Sequence, residues 1–297
     1  MIWQNKAMII LLALLAAILV ISYPSQKIAS GGPALVGIVR EPLAYCTFTE
    51  INNNDPRFSI SIADGYPGLI NALKNGQLDA SILPVQYLKE LNGNEFSAVA
   101  GTSYLNLVVI ENGNSVFSLA DLNGRTSIMP ESAKNSLEFQ MLNLLISKAN
   151  IDVTITYQND EAIQKLAWES NFEIMILPPD QSAAVLMQNE NYRSCFNLAS
   201  QWYSLQGTQP PAGCLIVARN ASIDAKSSNL AGFLASVKAS VEFINSKHKK
   251  AASLITTSGL GDNSAYILKV VPHCAFAYIQ GDSMADSLEQ LKLLPAI

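Results

Sequence analysis

Hydrophobic and polar positions follow two rhythms along this chain, and one passage shows both. In "DGYPGLINALKNGQLDASILP", Asp64 to Pro84, apolar residues first recur at helical spacing and then run together. Pro67 near the start and Gly76 at the stop frame a helix over Tyr66–Gly76. The run that follows, ending at Pro84, predicts a short buried strand. "NDEAIQKLAWESNFEIMILPPDQ", Asn159 to Gln181, has the same layout. Aligned on proline, Pro84 meets Pro178, Ile82 meets Ile176, Asp79 meets Glu173, and Gly76 meets Ser170. The chain therefore carries one helix–strand–proline unit twice, about a hundred residues apart.

The remaining pattern extends each copy. Pro33–Arg40 predicts a buried strand, "EPLAYCTF" opens a loop, and the alternating Arg57–Asp64 predicts a second strand. Strand, helix and strand make a βαβ unit, which implies a parallel sheet covered by helices. Tyr104–Glu111 reads as a further strand. After an Asp-x-Asn-Gly turn come a strand over Thr126–Met129, a helix reached through "PESAKNS", and a strand over Val153–Tyr157. These lead into the second copy, so two α/β lobes are expected. A helix over Ser182–Gln188 and a strand over Leu215–Arg219 follow, with "CFNLASQWYSL" between them. In the tail, Leu230, Phe233, Leu234, Val237, Val241 and Ile244 fall on one helical face. Such a face must pack on something, and the first lobe, short of helices, is the expected partner.

The start of the chain departs from both rhythms. Lys6 precedes an unbroken apolar run from Ala7 to Ile21, which suits the core of a secretory signal. Cleavage after Ser30 is one expectation, and an uncleaved N-terminal anchor is the other. Both place the rest of the chain outside the cytoplasm. No cysteine precedes Cys46, so lipid attachment through an N-terminal cysteine is not expected.

Composition narrows the partners. With 49% hydrophobic residues, 14% charged residues and a formal net charge of −5, the 297-residue chain suits a folded protein. The charge argues against nucleic acid as a partner. Cys46, Cys195, Cys214 and Cys274 lack Cys-x-x-Cys spacing. An exported protein could pair them in three ways or keep them free. Neither His248 nor His273 has a nucleophile elbow nearby, and no phosphate-binding glycine loop or metal-ligand cluster is evident. No catalytic residue, metal or cofactor is expected.

In parallel α/β sheets, ligands lie at the carboxyl ends of strands, where loops meet helix N-termini. That rule selects Arg40 and Glu41 in "REPLAYC", Asp64 and Tyr66 in "DGYPG", and Pro84 and Gln86 in "LPVQ". It also selects Thr102, Ser103 and Tyr104 in "GTSY", Ser132, Lys134 and Asn135 in "MPESAKNS", and Pro178 and Asp180 in "LPPDQ". Each has a plainer role open to it: the prolines punctuate loops, and Ser132 or Ser136 suits a helix cap.

Six segments in this order resemble the substrate-binding proteins of ATP-driven (ABC) importers, in the nitrate/sulfonate/taurine and thiamine-precursor-like group. They are "ALKNGQLDASILP", "SLADLNGRT", "EIMILPP", "PPAGCLIVARN", "SVKASVEFIN" and "VPHCAFAYIQGDSM". The resemblance implies a two-lobed type II periplasmic-binding-protein fold, each lobe a parallel-rich sheet flanked by helices, with a cleft between the lobes. It places crossing segments near Gly101–Val109 and Ala212–Arg219. The implied layout is a leader over 1–30, a first lobe over 31–103, a second over 104–213, and a return to the first over 214–297. It also places Cys46 and Cys274 together in the first lobe. The implied function is capture of a small polar or heteroaromatic molecule and delivery to a membrane permease, by an exported protein expected to be monomeric. A pyrimidine-synthase-like enzyme and an orphan sensor share the fold and stand as alternatives. "MPESAKNS", with Glu131 beside Lys134, departs from the Gly-rich loop common in relatives, so a ligand is not carried over.

Overall fold

The computed structural model describes residues 32–294, and the predicted leader with its cleavage point lies outside them. Among the described residues, no helix is long and apolar enough to cross a membrane. The strands are β1 Ala34–Val39, β2 Phe58–Ala63, β3 Ala80–Pro84, β4 Phe96–Tyr104, β5 Val108–Asn112 and β6 Arg125–Pro130. They continue as β7 Val153–Gln158, β8 Ile174–Leu177, β9 Tyr192–Asn197, β10 Ala212–Arg219 and β11 Phe276–Ile279. The helices are α1 Phe48–Asn53, α2 Tyr66–Lys74, α3 Leu137–Ala149, α4 Asp160–Trp168, α5 Pro179–Gln188 and α6 Leu198–Gln206. Then come α7 Asn220–Ala225, α8 Ser227–Ser246, α9 His248–Thr257, α10 Ser264–Val270 and α11 Asp282–Leu291.

These elements pack as two compact units. Residues 32–103, Ala212–Ser264 and Phe276–Lys292 form the first; Tyr104–Pro211 and Ala265–Ala275 belong to the second. The first holds a six-stranded sheet in the order β11-β4-β10-β3-β1-β2. There β1 pairs in parallel with β2 and β3, while β10 runs antiparallel to β3 and β11 antiparallel to β4. The second unit holds a five-stranded sheet in the order β7-β6-β8-β5-β9. There β6 pairs in parallel with β7 and β8, and β5 runs antiparallel to β8 and β9. β3, β8 and β10 are buried almost throughout, because helices cover both faces of their sheets.

The repeat noticed in the sequence reaches down to the backbone. α2 buries Leu69, Ile70 and Leu73, and α4 buries Ile163 and Ala167. Just beyond these helices Gly76 holds φ +75° and Ser170 holds φ +54°, so both copies leave the helix through a left-handed residue. Serine tolerates that conformation in part because its hydroxyl accepts hydrogen bonds from Asn189 Nδ2 at 2.7 Å and Asn191 Nδ2 at 3.5 Å. Val108, Ile110, Ile128, Met175 and Leu177 from the sheet meet Ile163, Ala167 and Val185 from α4 and α5 in the second core. As the amphipathic tail required, α8 packs in the first unit, where Phe233 meets Phe58 and Phe243 meets Phe48.

Several expectations change. "EPLAYCTF" is no loop: a 3-10 turn over Pro42–Thr47 runs directly into α1. α5 begins at Pro179, since proline fits a first turn that has no use for its missing N–H. "CFNLASQWYSL" divides into the end of β9 and α6, whose start Asn197 caps by accepting from Ser200 N. Residues beyond 214 do not all return to the first unit. The stretch Ala265–Ala275 packs with the second, held by Asn106 Nδ2 donating to His273 O at 2.6 Å and Tyr104 N to Ala275 O at 3.1 Å. Cys274 therefore belongs to the second unit, apart from Cys46, and all four cysteines are free.

Ala275 itself holds φ +48°, which costs an L side chain roughly 1 kcal/mol. Ala275→Gly should therefore raise stability by up to about 1 kcal/mol, read as a higher urea midpoint at unchanged slope.

Candidate functional site

Because β1, β2 and β3 are parallel, their carboxyl ends share one edge of the first sheet. β10 begins on that edge, with Cys214 opposite Pro84. β4 ends there too: Leu105 N, just past it, donates to Pro211 O at 2.9 Å, just ahead of β10. The edge thus gathers Arg40 and Glu41 after β1, Asp64 to Tyr66 after β2, Pro84 to Tyr87 at the end of β3, and Thr102 and Ser103 on β4.

Three of these residues form a built constellation. Tyr66 opens α2 and donates its hydroxyl to Glu41 Oε2 at 2.7 Å. Its ring lies 5.0 Å from that of Tyr87, the planes inclined by 32°. The Tyr66 hydroxyl thus joins a carboxylate to a packed pair of aromatic rings. Burial, then the neighbouring Cys214 thiol and the Glu41 carboxylate, raise the Tyr66 hydroxyl well above its ordinary pKa. It remains a donor throughout the physiological range.

The interior side of this edge is polar but chemically quiet. Thr102 and Ser103 are 0% exposed, and their hydroxyls make no well-formed hydrogen bond among the described residues. The thiols of Cys46 and Cys214 lie near Thr102; burial pushes Cys46 well up and Cys214 up to about 12. Thiols held protonated are poor nucleophiles, so this cluster offers no thiolate chemistry.

The second unit repeats the geometry. Parallel β6, β7 and β8 end together, leading into Glu131–Ser136, Asn159 and Pro178–Asp180. Ser136 Oγ caps α3 by accepting from Phe139 N at 3.1 Å, and Asn159 Oδ1 caps α4 by accepting from Ala162 N at 2.8 Å. Lys134 places its ammonium 5.1 Å from the centre of the Tyr157 ring. Asn135 holds φ +84°. The Tyr266 hydroxyl donates to the backbone oxygen of Asp180 at 3.3 Å.

Among the residues singled out from sequence, Arg40, Glu41, Asp64, Gln86, Ser132, Lys134, Asn135 and Asp180 are exposed. Tyr66, Tyr104 and Pro178 are half-buried, whereas Pro84, Thr102 and Ser103 are fully covered. The structure brings Glu41 and Tyr66 into direct contact. It gives Tyr104 a different partner, Gln209 Oε1, at 2.7 Å. Tyr87 was missed by sequence reasoning, although an aromatic three residues beyond the strand-ending Pro84 was the available signal.

The His273-Cys274 adjacency makes no catalytic pair. Burial, then Lys269, lowers the His273 pKa, and burial, then Asp180, raises that of Cys274, whose thiol donates to Val270 O at 3.4 Å. Among the described residues, no three His, Cys, Asp or Glu side chains converge as metal ligands.

No protein-family model matches the chain, and no curated protein matches it in sequence. Solved structures do. An ABC transporter from Parabacteroides distasonis superposes with TM-score 0.67 at 11% identity, covering 89% of this chain and 93% of that one. The periplasmic aliphatic sulphonate-binding protein SsuA of Escherichia coli gives 0.61 at 15% identity, over 89% and 87%. The ligand-binding component of an ABC-type import system from Staphylococcus aureus gives 0.58 at 12% identity, over 90% and 94%. At these identities the likeness is one of fold: the chain has the periplasmic-binding-protein fold, as the resemblance in its sequence implied.

Proposed function

We propose that this protein is an exported solute-binding protein that takes up a small polar or heteroaromatic molecule and hands it to a membrane permease of an ABC importer. The loops at the carboxyl edges of its parallel strands supply the ligand contacts, and the protein binds without transforming. The observation that carries this reading is the Glu41–Tyr66–Tyr87 constellation. A carboxylate anchored by a tyrosine hydroxyl, beside a second ring, is costly to order on a surface with no role. The fold supports the same reading, since its solved neighbours are named as periplasmic or import-system binding proteins. Buried, protonated thiols at the same edge suit binding better than nucleophilic catalysis. The role assigns the protein an extracytoplasmic place and a monomeric state.

The test is a thermal-shift panel on the full chain with amino acids, polyamines, amines, pyrimidines, sulfonates and nitrate. A true ligand at a hundred times its Kd should add about 2.7 kcal/mol, a visible rise in Tm. In the Asp64→Ala/Tyr66→Ala double variant that rise should vanish while the unliganded Tm stays within a few degrees. A panel without any response overturns the reading. A response that survives the double variant removes these loops from the site.

A further inference from the structure

The strand edges carry a charge pattern that speaks to ligand class, an inference that rests on the solute-binding reading above. An oxyanion such as a sulfonate or nitrate needs free N–H groups at helix starts, or cations. Four helices begin at these edges, and each start is poorly suited to that task. α2 has Pro67 in its first turn, and α5 starts with Pro178 and Pro179, so prolines remove donors from both. α3 and α4 have a first-turn N–H already taken by Ser136 and by Asn159. Acidic residues add repulsion: Glu138 in the first turn of α3, Asp160 and Glu161 in that of α4, and Asp180 in that of α5. Lys134, the cation of the second edge's loops, already rests on the Tyr157 ring.

The first edge shows what would be welcome instead. Glu41 is exposed, so it can meet a ligand, and the Tyr66 hydroxyl holds it in place at 2.7 Å. The Tyr66 ring, bonded to it through that hydroxyl, packs on the Tyr87 ring, and aromatic rings attract cations.

We propose that the ligand is an organic cation, an amine with a compact apolar or aromatic body, whose charge is taken by Glu41 beside the Tyr66 and Tyr87 rings.

Isothermal titration of the full chain with matched pairs tests this: phenethylamine against 3-phenylpropanoate, and choline against ethanesulfonate. The cationic member of at least one pair should bind at least tenfold tighter than its anionic counterpart. Glu41→Gln should then weaken that cation roughly ten- to hundredfold, the scale of one charge-assisted contact. Tyr66→Phe keeps the ring and removes only the anchor, so it should lose no more than a few-fold. Preference for the anions, or cation binding indifferent to Glu41→Gln, overturns the assignment. Failure of all four probes together with the amines and polyamines of the panel also overturns it. A response to some other compound in the thermal-shift panel would then leave the solute-binding reading standing, whereas silence there too would remove both.

Discussion

A Glu50→Gln variant should be more stable than the parent by about 3 kcal/mol at pH 8, and nearly equal to it at pH 4.5. Glu50 sits in α1 with 2% of its surface exposed. Neither carboxyl oxygen has a hydrogen-bond partner among the described residues; Ser236 on α8 approaches without making a well-formed bond. Burial pushes the Glu50 pKa from 4.5 to about 7. The folded state therefore holds this proton more tightly than the unfolded chain does. Its contribution is intact below pH 4.5, declines as pH rises, and is lost above about 7. Glutamine cannot ionise, so it escapes that decline. The measurement is urea unfolding of parent and variant across pH 4.5 to 8. A gap that stays constant with pH would show that Glu50 does not titrate in the folded state as described.

Glu111→Ala should act in the opposite direction, costing about 1–3 kcal/mol at pH 7 by leaving the Ser115 and Val116 donors without their acceptor. Glu111, next to last in β5, has its side chain fully enclosed, yet both oxygens of its carboxylate are engaged. Arg193 donates to Oε2 at 2.6 Å, Ser115 through its N–H at 2.9 Å and its hydroxyl at 2.5 Å, and Val116 N at 3.2 Å. Burial alone would raise the pKa, but the bonds from Ser115 and Val116 and the Arg193 charge outweigh it and hold Glu111 below its ordinary value. This stabilisation is present above the ordinary glutamate pKa and is lost as pH falls through the depressed one. Acid titration should therefore expose the loop after β5, where Arg193 also covers the Phe117 ring at 4.8 Å. Denaturation of Glu111→Ala at pH 7 checks the size; a loss under 1 kcal/mol would mean that Arg193 and the loop rearrange at little cost.

The contrast between these two glutamates marks what a linear chain reveals. The parallel units were legible because β8 is a continuous apolar run and β3 one broken only by Ser81, each after a helix of clear period, with turns at Gly76 and Ser170. The strand-end loops followed from topology, so Glu41 and Tyr66 could be named before their hydrogen bond was seen. Their contact was not legible, because it joins residues 25 positions apart across a loop whose 3-10 path leaves little periodic trace. Glu50 was invisible for a related reason. "TFTEINN" carries little periodic signal, and the α8 residue that approaches it, Ser236, comes almost two hundred residues later. The packing of Ala265–Ala275 with the second unit is not legible either, because a short amphipathic helix says which face is apolar, never what it will meet.

The strand order also sets a timetable for the chain as it is made. All five strands of the second sheet lie between residues 108 and 197, so that sheet can complete itself from one continuous stretch. The first sheet cannot. β10 stands between β3 and β4, and more than a hundred residues separate it from either in sequence. Until β10 is delivered, β3 presents an open edge that is apolar but for Ser81, the kind that pairs with other chains. Contacts of such long separation form slowly, and the half-built first unit must be shielded for as long as that takes. A chain interrupted after Pro211 should therefore aggregate through β3, and a slow refolding phase should report the arrival of β10.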